Sequence, residues 1–126
     1  MISWLEKNSK ISWLVTSIIV ILIFYFSSLT GEESSTIGKV IGLNALVYHI
    51  SIFFLLSIFL FISLTKGKNK ELISLGIILA LTYAIIDEIH QYFTPGRSSA
   101  FSDVILDSIG IIFAFLVYLI SLEYRK

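Results

Sequence analysis

The chain contains no cysteine, a single proline and only two histidines among 126 residues. Without cysteine there is no disulfide, no thiol nucleophile and no thiolate zinc site, and composition says nothing of the redox compartment. Charge is scarce as well, at 14% against about 25% in ordinary soluble domains. Lys and Arg number 9 and so do Asp and Glu, which leaves no net charge to recruit nucleic acid. A soluble domain of this size needs polar helix faces, and there is almost nothing here to build them from. What the chain holds instead is hydrocarbon, with 56% hydrophobic residues and a mean hydropathy of +0.92.

That composition belongs to a membrane protein. Four apolar runs carry the inference, at residues 11–30, 44–64, 71–93 and 102–122. Each is about 20 residues long, which at ~1.5 Å per residue crosses the ~30 Å hydrocarbon core. Their apolar residues run on without alternating, which points to helices, whose backbone hydrogen bonds close internally as the bilayer demands. Basic residues precede the first run, as in a signal peptide. It is too long for one and no small-residue cleavage site follows, so a retained anchor is expected. The expected fold is an all-α membrane protein, one domain over residues 1–126 and a bundle of four transmembrane helices.

With four spans, both termini share a side. Lys7, Lys10, Lys66, Lys68, Lys70, Arg125 and Lys126 fall on that side, and only Lys39 and Arg97 on the other. The positive-inside rule then places both termini in the cytoplasm. "TKGKNKE" (65–71) is a tight basic loop, and "TPGRSSAF" (94–101) a short outer turn. Pro95-Gly96 ends the third helix, and Ser99 or Ser102 is positioned to cap the fourth. The longer outer loop, "GEESSTIGKVIGLN", is polar and stands where it can cover the outer mouth.

The polar residues inside the spans are not scattered. In "AIIDEIHQYFTPGR" (84–97), Asp87, His90 and Gln91 share one helix face at ~100° per residue, with Glu88 at its margin and Tyr83 a turn below. On the fourth span Asp103 and Asp107 stand at i, i+4, and Gly110 continues their stripe with a small residue that lets another helix approach. His49 lies near the outer end of the second span, and Ser27 and Ser28 at that of the first. Hydrogen-bonding groups thus gather in the outer halves, above inner halves of Leu, Ile and Phe. A polar pocket opening to the outer leaflet follows. Taken singly, Glu88, Gln91 and Asp103 are equally well explained as interfacial residues, Asp103 favourably meeting a helix dipole. Asp87 and Asp107 lie deeper and resist that explanation.

The stretch "DEIHQYFTPGRSSAFSDVILDSIG" (87–110) resembles the VanZ-like family, whose pattern runs D-E-x-H-Q, an aromatic, P-G-R, then D-x-x-x-N-x-x-G. Asp87, Glu88, His90, Gln91, Phe93, Pro95, Gly96, Arg97, Asp103 and Gly110 match it. "FYFSS" (24–28) resembles the serine-containing end of that family's first helix, and His49 falls where its members carry a second-span His. Two positions depart. Asp107 stands where the family usually has Asn, and no Lys precedes His49. The resemblance implies a multi-pass protein of a bacterial, Gram-positive cell membrane, associated with low-level resistance to teicoplanin and related lipoglycopeptides.

Four uses of such a pocket are open. As an enzyme at the outer leaflet, it would act on a lipid-linked or cell-wall substrate, with Asp87, Glu88, His90, Gln91, Arg97 and Asp103 catalytic. His90 would be the general acid or base oriented by Asp87, Arg97 the phosphate ligand, and water the nucleophile. Ser27, Ser28, His49, Tyr83 and Asp107 would bind the substrate. A divalent cation, held by Asp87, Glu88, Asp103 and Asp107 with His49 or His90, is the cofactor these oxygen ligands would suit. As a binding module, the same pocket would take a lipid, the acyl chain of a lipoglycopeptide or a partner protein. A proton-coupled transporter ranks lower, because no span carries an ionisable residue in its inner half. Finally, Asp87, Glu88 and Arg97 could form a buried network that only holds two helices together.

Overall fold

The polar segment that follows the first apolar run ends at Asn44, whose side-chain oxygen accepts the Val47 N–H at 2.9 Å and so starts a helix. From there to Thr65 the chain contains no Gly or Pro, and the helix runs unbroken. In the computed structural model, which describes residues 1–124, six helices follow in order: α1 (Ile2–Lys7), α2 (Ser9–Ser28), α3 (Gly31–Ile41), α4 (Ala45–Thr65), α5 (Leu72–Tyr92) and α6 (Phe101–Glu123). Of these, α2, α4, α5 and α6 are long and apolar enough to cross a membrane, and their ends fall within two residues of the four runs. Arg125 and Lys126, counted above for topology, lie outside the described residues.

The middle of the bundle is α4. It packs most extensively on α6, then on α2 and α5, while α5 also touches α6 and α2. The core is filled by side chains with no exposure at all, among them Ile23, Phe53, Phe61, Ala84, Ala114 and Tyr118. Ile21, Phe24, Ile78, Ile112 and Phe113 point outward and are exposed. In water that would be a large apolar patch, and in a bilayer it is the lipid-facing surface. Gly110 lets α6 lie directly on α4: a Cβ there would stand 2.3 Å from the Ile50 carbonyl oxygen and 3.0 Å from the Phe54 nitrogen.

The segment expected to be a loop over the outer mouth contains a helix, α3. Thr30 caps it, with Oγ1 accepting the Glu33 N–H at 3.3 Å and Glu33 Oε2 accepting the Thr30 N–H at 2.9 Å. The T-x-x-E spacing of that capping box was legible in "TGEE". No α3 residue is buried, so the cap is a main local restraint on it. The Thr30 backbone N–H, and then its hydroxyl, hold the Glu33 carboxyl below the ordinary carboxylate range. A folded value lower than the unfolded one contributes stability above the ordinary range, lost as pH falls through the lowered value. Amide protection factors across α3 should therefore be level at neutral pH and fall only on strong acidification. Protection that stays constant throughout would show that the cap contributes nothing.

At the end that carries the termini, the floor is not purely apolar as the sequence suggests. The Tyr118 hydroxyl donates to Glu6 Oε1 at 2.7 Å, and Thr65 bonds the same phenol. Thr16 and Ser63 meet at 3.3 Å, and Ser12 donates to the Leu5 carbonyl at 2.8 Å. Through Tyr118 these bonds tie α1 to α6 and α6 to the end of α4, and Ser12 ties α2 to α1. Ser and Thr inside helices hide well in a hydropathy profile, because each can return its proton to a carbonyl one turn back, as Thr16 and Ser63 do.

Candidate functional site

At the α3 end, the polar side chains sort into separate junctions between helices. The first joins α2 to α5. Asp87 accepts the Ser27 hydroxyl and, at 2.9 Å, the Gln91 amide, which also donates to Ser27 Oγ at 3.2 Å. Thr94 donates to the Ser27 carbonyl at 3.1 Å. All four residues are buried. Asp87 is thus spent on holding two helices together, and the expected Asp87–His90 bond does not form.

The second junction joins α5 to the start of α6. Glu88 Oε1 accepts the Ala100 N–H at 2.6 Å, and Ser99 Oγ donates to the Glu88 carbonyl at 3.3 Å. The cap of α6 is therefore a carboxylate from a neighbouring helix and not Ser99 or Ser102, since Ala100 is the N-cap and no side-chain cap forms. A negative group there meets the positive end of the helix dipole. The α2 and α5 ends are pinned further by Gly31, whose N–H donates to the Pro95 carbonyl at 3.1 Å. Its missing Cβ would stand 1.8 Å from the Gly96 oxygen.

His90 faces away from both. Its Nε2 lies 3.0 Å from Ser28 Oγ and its ring stacks on Phe24 at 4.8 Å. Ser28 gives its own proton to the Phe24 carbonyl at 2.7 Å, so it is poorly placed as a nucleophile activated by His90. Tyr83 is drawn lower, donating to the Val20 carbonyl at 2.8 Å, and lines a groove between α2 and α5 near the middle of the bundle.

The third junction joins α4 to α6. His49 Nδ1 and Asp107 Oδ1 are 2.8 Å apart, with His49 4% and Asp107 1% exposed. A carboxylate can only accept, so Nδ1 carries the proton, and in the neutral imidazole Nε2 keeps its lone pair. Nε2 points towards Asp103 Oδ2 at 3.9 Å, too long for a hydrogen bond. The Asp107 in place of the family's usual Asn thus has its own partner.

Beside this third junction lies a cavity of about 760 Å³, walled on one side by α3 and on the other by α4, with His49, Gln91, Arg97 and Asp103 in its lining. Ile37 and Ile41 of α3 and Ile52 and Leu55 of α4 form an apolar wall. Tyr48 also lines it, and its hydroxyl is buried without a partner. Of the expected site residues, the cavity gathers His49, Gln91, Arg97 and Asp103. Asp107 stands behind His49. Ser27, Ser28, Tyr83, Asp87, Glu88 and His90 do not line it. Tyr48 was missed because an aromatic at a span end is ordinarily part of the interfacial belt. The oxygen-rich cation site expected from four carboxylates is not assembled, because the carboxylates belong to different junctions. Among the described residues no three His, Asp or Glu side chains cluster where they could hold a metal ion.

No curated protein and no solved structure matches this chain. The family model described as VanZ/LLP1 does, over residues 12–122, which takes in α4 and α5 whole, nearly all of α2 and α6, and every residue of the junctions just described. The chain belongs to the VanZ/LLP1 family.

Proposed function

We propose that this protein lies in a bacterial, Gram-positive cell membrane with both termini cytoplasmic, and that its α3 end works at the outer leaflet. There it acts on a lipid-linked or cell-wall substrate, and low-level protection against teicoplanin and related lipoglycopeptides is the phenotype. Membership of the VanZ/LLP1 family supports the phenotype. The orientation is supported by Lys7, Lys10, Lys66, Lys68 and Lys70 at the terminus end, against Lys39 and Arg97 at the other.

The observation that carries the chemical part is His49. It is the one histidine that lines the cavity, and a buried carboxylate holds the back of its ring. That is the construction of a positioned general base: Asp107 fixes the tautomer and Nε2 faces the ligand. The role first expected of His90 therefore passes to His49. In a headgroup hydrolysis, Nε2 takes a proton from water as the water oxygen bonds to phosphorus. The bond from phosphorus to the leaving oxygen breaks, and the proton passes on to that oxygen. Arg97 faces the phosphate.

A binding module without catalysis is favoured by a different observation. Asp87 and Glu88, at the head of the motif, are consumed with Ser27 in joining helices and do not line the cavity. The two are separated by a resistance assay in a susceptible host, teicoplanin against vancomycin, with membrane-inserted protein quantified. His49→Gln should lose protection at an unchanged protein level, and His90→Gln should keep it. Protection that survives His49→Gln would leave only the binder.

A further inference from the structure

Two acceptors face two cations across the same cavity, and together they describe the ligand, provided the cavity is the working site proposed above. On the α6 side, His49 Nε2 and Asp103 Oδ2 stand 3.9 Å apart. With its Nδ1 proton given to Asp107, the neutral His49 offers only a lone pair, so neither group satisfies the other. Among the described residues the Asp103 side chain makes no hydrogen bond, and that long contact is its one ion pair. What fits between two acceptors is a donor, an ammonium or a hydroxyl.

Arg97 and Lys39 also line the cavity, and neither makes an ion pair among the described residues. Two cations on two elements can close on one phosphate, and a guanidinium fork takes two of its oxygens at once. Beside them runs the apolar wall of Ile37, Ile41, Ile52 and Leu55. At about 760 Å³ the cavity is of a size with small-molecule sites, which run roughly 300–1,000 Å³, enough for a headgroup and the first part of one chain.

We infer that the cavity binds the headgroup of a phosphate-bearing amphiphile that carries an amine or hydroxyl donor beside its phosphate. Arg97 and Lys39 hold the phosphate, Asp103 takes the donor beside His49 Nε2, and the hydrocarbon chain lies between α3 and α4.

The test is a set of binding titrations on the full chain in detergent micelles. The probes are lysophosphatidylethanolamine, lysophosphatidylglycerol, lysophosphatidylcholine and O-phosphoethanolamine, which has no chain. The first two should bind about tenfold more tightly than lysophosphatidylcholine, whose trimethylated nitrogen has no N–H to give. Phosphoethanolamine should bind far more weakly than its lysolipid; equal binding would make this a free-phosphate site and overturn the amphiphile. Arg97→Gln should weaken all three lysolipids about tenfold. Asp103→Asn should bring the lysolipids within about threefold of one another, since the discrimination rests on a charge-assisted bond. Lysophosphatidylcholine binding as well as the others, or indifference to Arg97→Gln, would overturn the inference. Neither result depends on turnover. If His49→Gln abolishes protection while the lysolipids bind alike, the ligand class falls and the acid–base proposal stands. Selective binding with protection indifferent to His49→Gln supports the ligand class and removes the acid–base proposal.

Discussion

Asp107→Leu is expected to abolish teicoplanin protection while the protein still reaches the membrane, and Asp107→Asn is expected to keep most of it. Among the described residues the carboxylate at this position has one hydrogen-bond partner, His49 Nδ1 at 2.8 Å, and its second oxygen is buried with none. Leucine removes the acceptor and leaves the Nδ1–H unpaired, at a cost of about 1–3 kcal/mol. Part of that is offset, because the orphaned Oδ2 goes with it. Folding should therefore survive. Function should not, since an imidazole free to turn no longer aims Nε2 at the cavity, and positioned proton transfer contributes roughly 10²–10⁴-fold to a rate. Asparagine presents a carbonyl oxygen in the same place, so the tautomer and the orientation are kept and only the charge is lost. The inhibitory concentration of teicoplanin, read beside the amount of protein in the membrane fraction, decides it. Protection by Asp107→Leu would mean that the aim of His49 is not used. Loss in Asp107→Asn as complete as in Asp107→Leu would mean that the negative charge itself is required.

The same pair shows what the sequence can and cannot convey. That Asp103, Asp107 and Gly110 share a stripe follows from helical periodicity alone, and α6 does turn Asp107 and Gly110 inward. The four long helices were legible because continuous hydrocarbon over about 20 residues has few other uses. Which stripe meets which is a different matter. His49 and Asp107 are 58 residues apart, and no local pattern distinguishes that pairing from Asp87 with His90 on one helix. Local spacing favoured His90, which does not line the cavity. Glu88 was read as a site residue for a similar reason, since a carboxylate near a span end looks alike whether it faces substrate or caps another helix. The capping box of α3 was written in four consecutive residues and was still passed over, because a short polar segment between spans is ordinarily a loop. The buried hydroxyls at the terminus end gave no signal at all.

Gly110→Ala should be the most damaging single-methyl change inside the four long helices, and Gly76→Ala at most half as costly. Both glycines sit inside long helices, where alanine is intrinsically better by about 1 kcal/mol. Their surroundings differ. A Cβ at Gly76 meets the ring of Phe61 at 2.7 Å, a side chain that can turn about its own torsions. At Gly110 it meets the backbone of α4, 2.3 Å from the Ile50 carbonyl oxygen and 3.0 Å from the Phe54 nitrogen. Backbone in the middle of a packed helix cannot swing aside. To reach ordinary contact, α6 must lift off α4 along the most extensive interface of the bundle. Overpacking usually costs about 1–3 kcal/mol, and rigid atoms on both sides put this case at or above the upper end. The damage extends beyond stability. Ile50 is the neighbour of His49, and Gly110 stands three residues from Asp107, so the separation opens where the two side chains meet at 2.8 Å. Gly110→Ala is therefore expected to lose teicoplanin protection even in the fraction that stays folded. Size-exclusion profiles of the detergent-solubilised protein after heating give the stability, and the inhibitory concentration gives the function. A midpoint for Gly110→Ala equal to wild type would mean that α4 and α6 do not approach this closely in the membrane, and the His49–Asp107 bond would lose its footing with them.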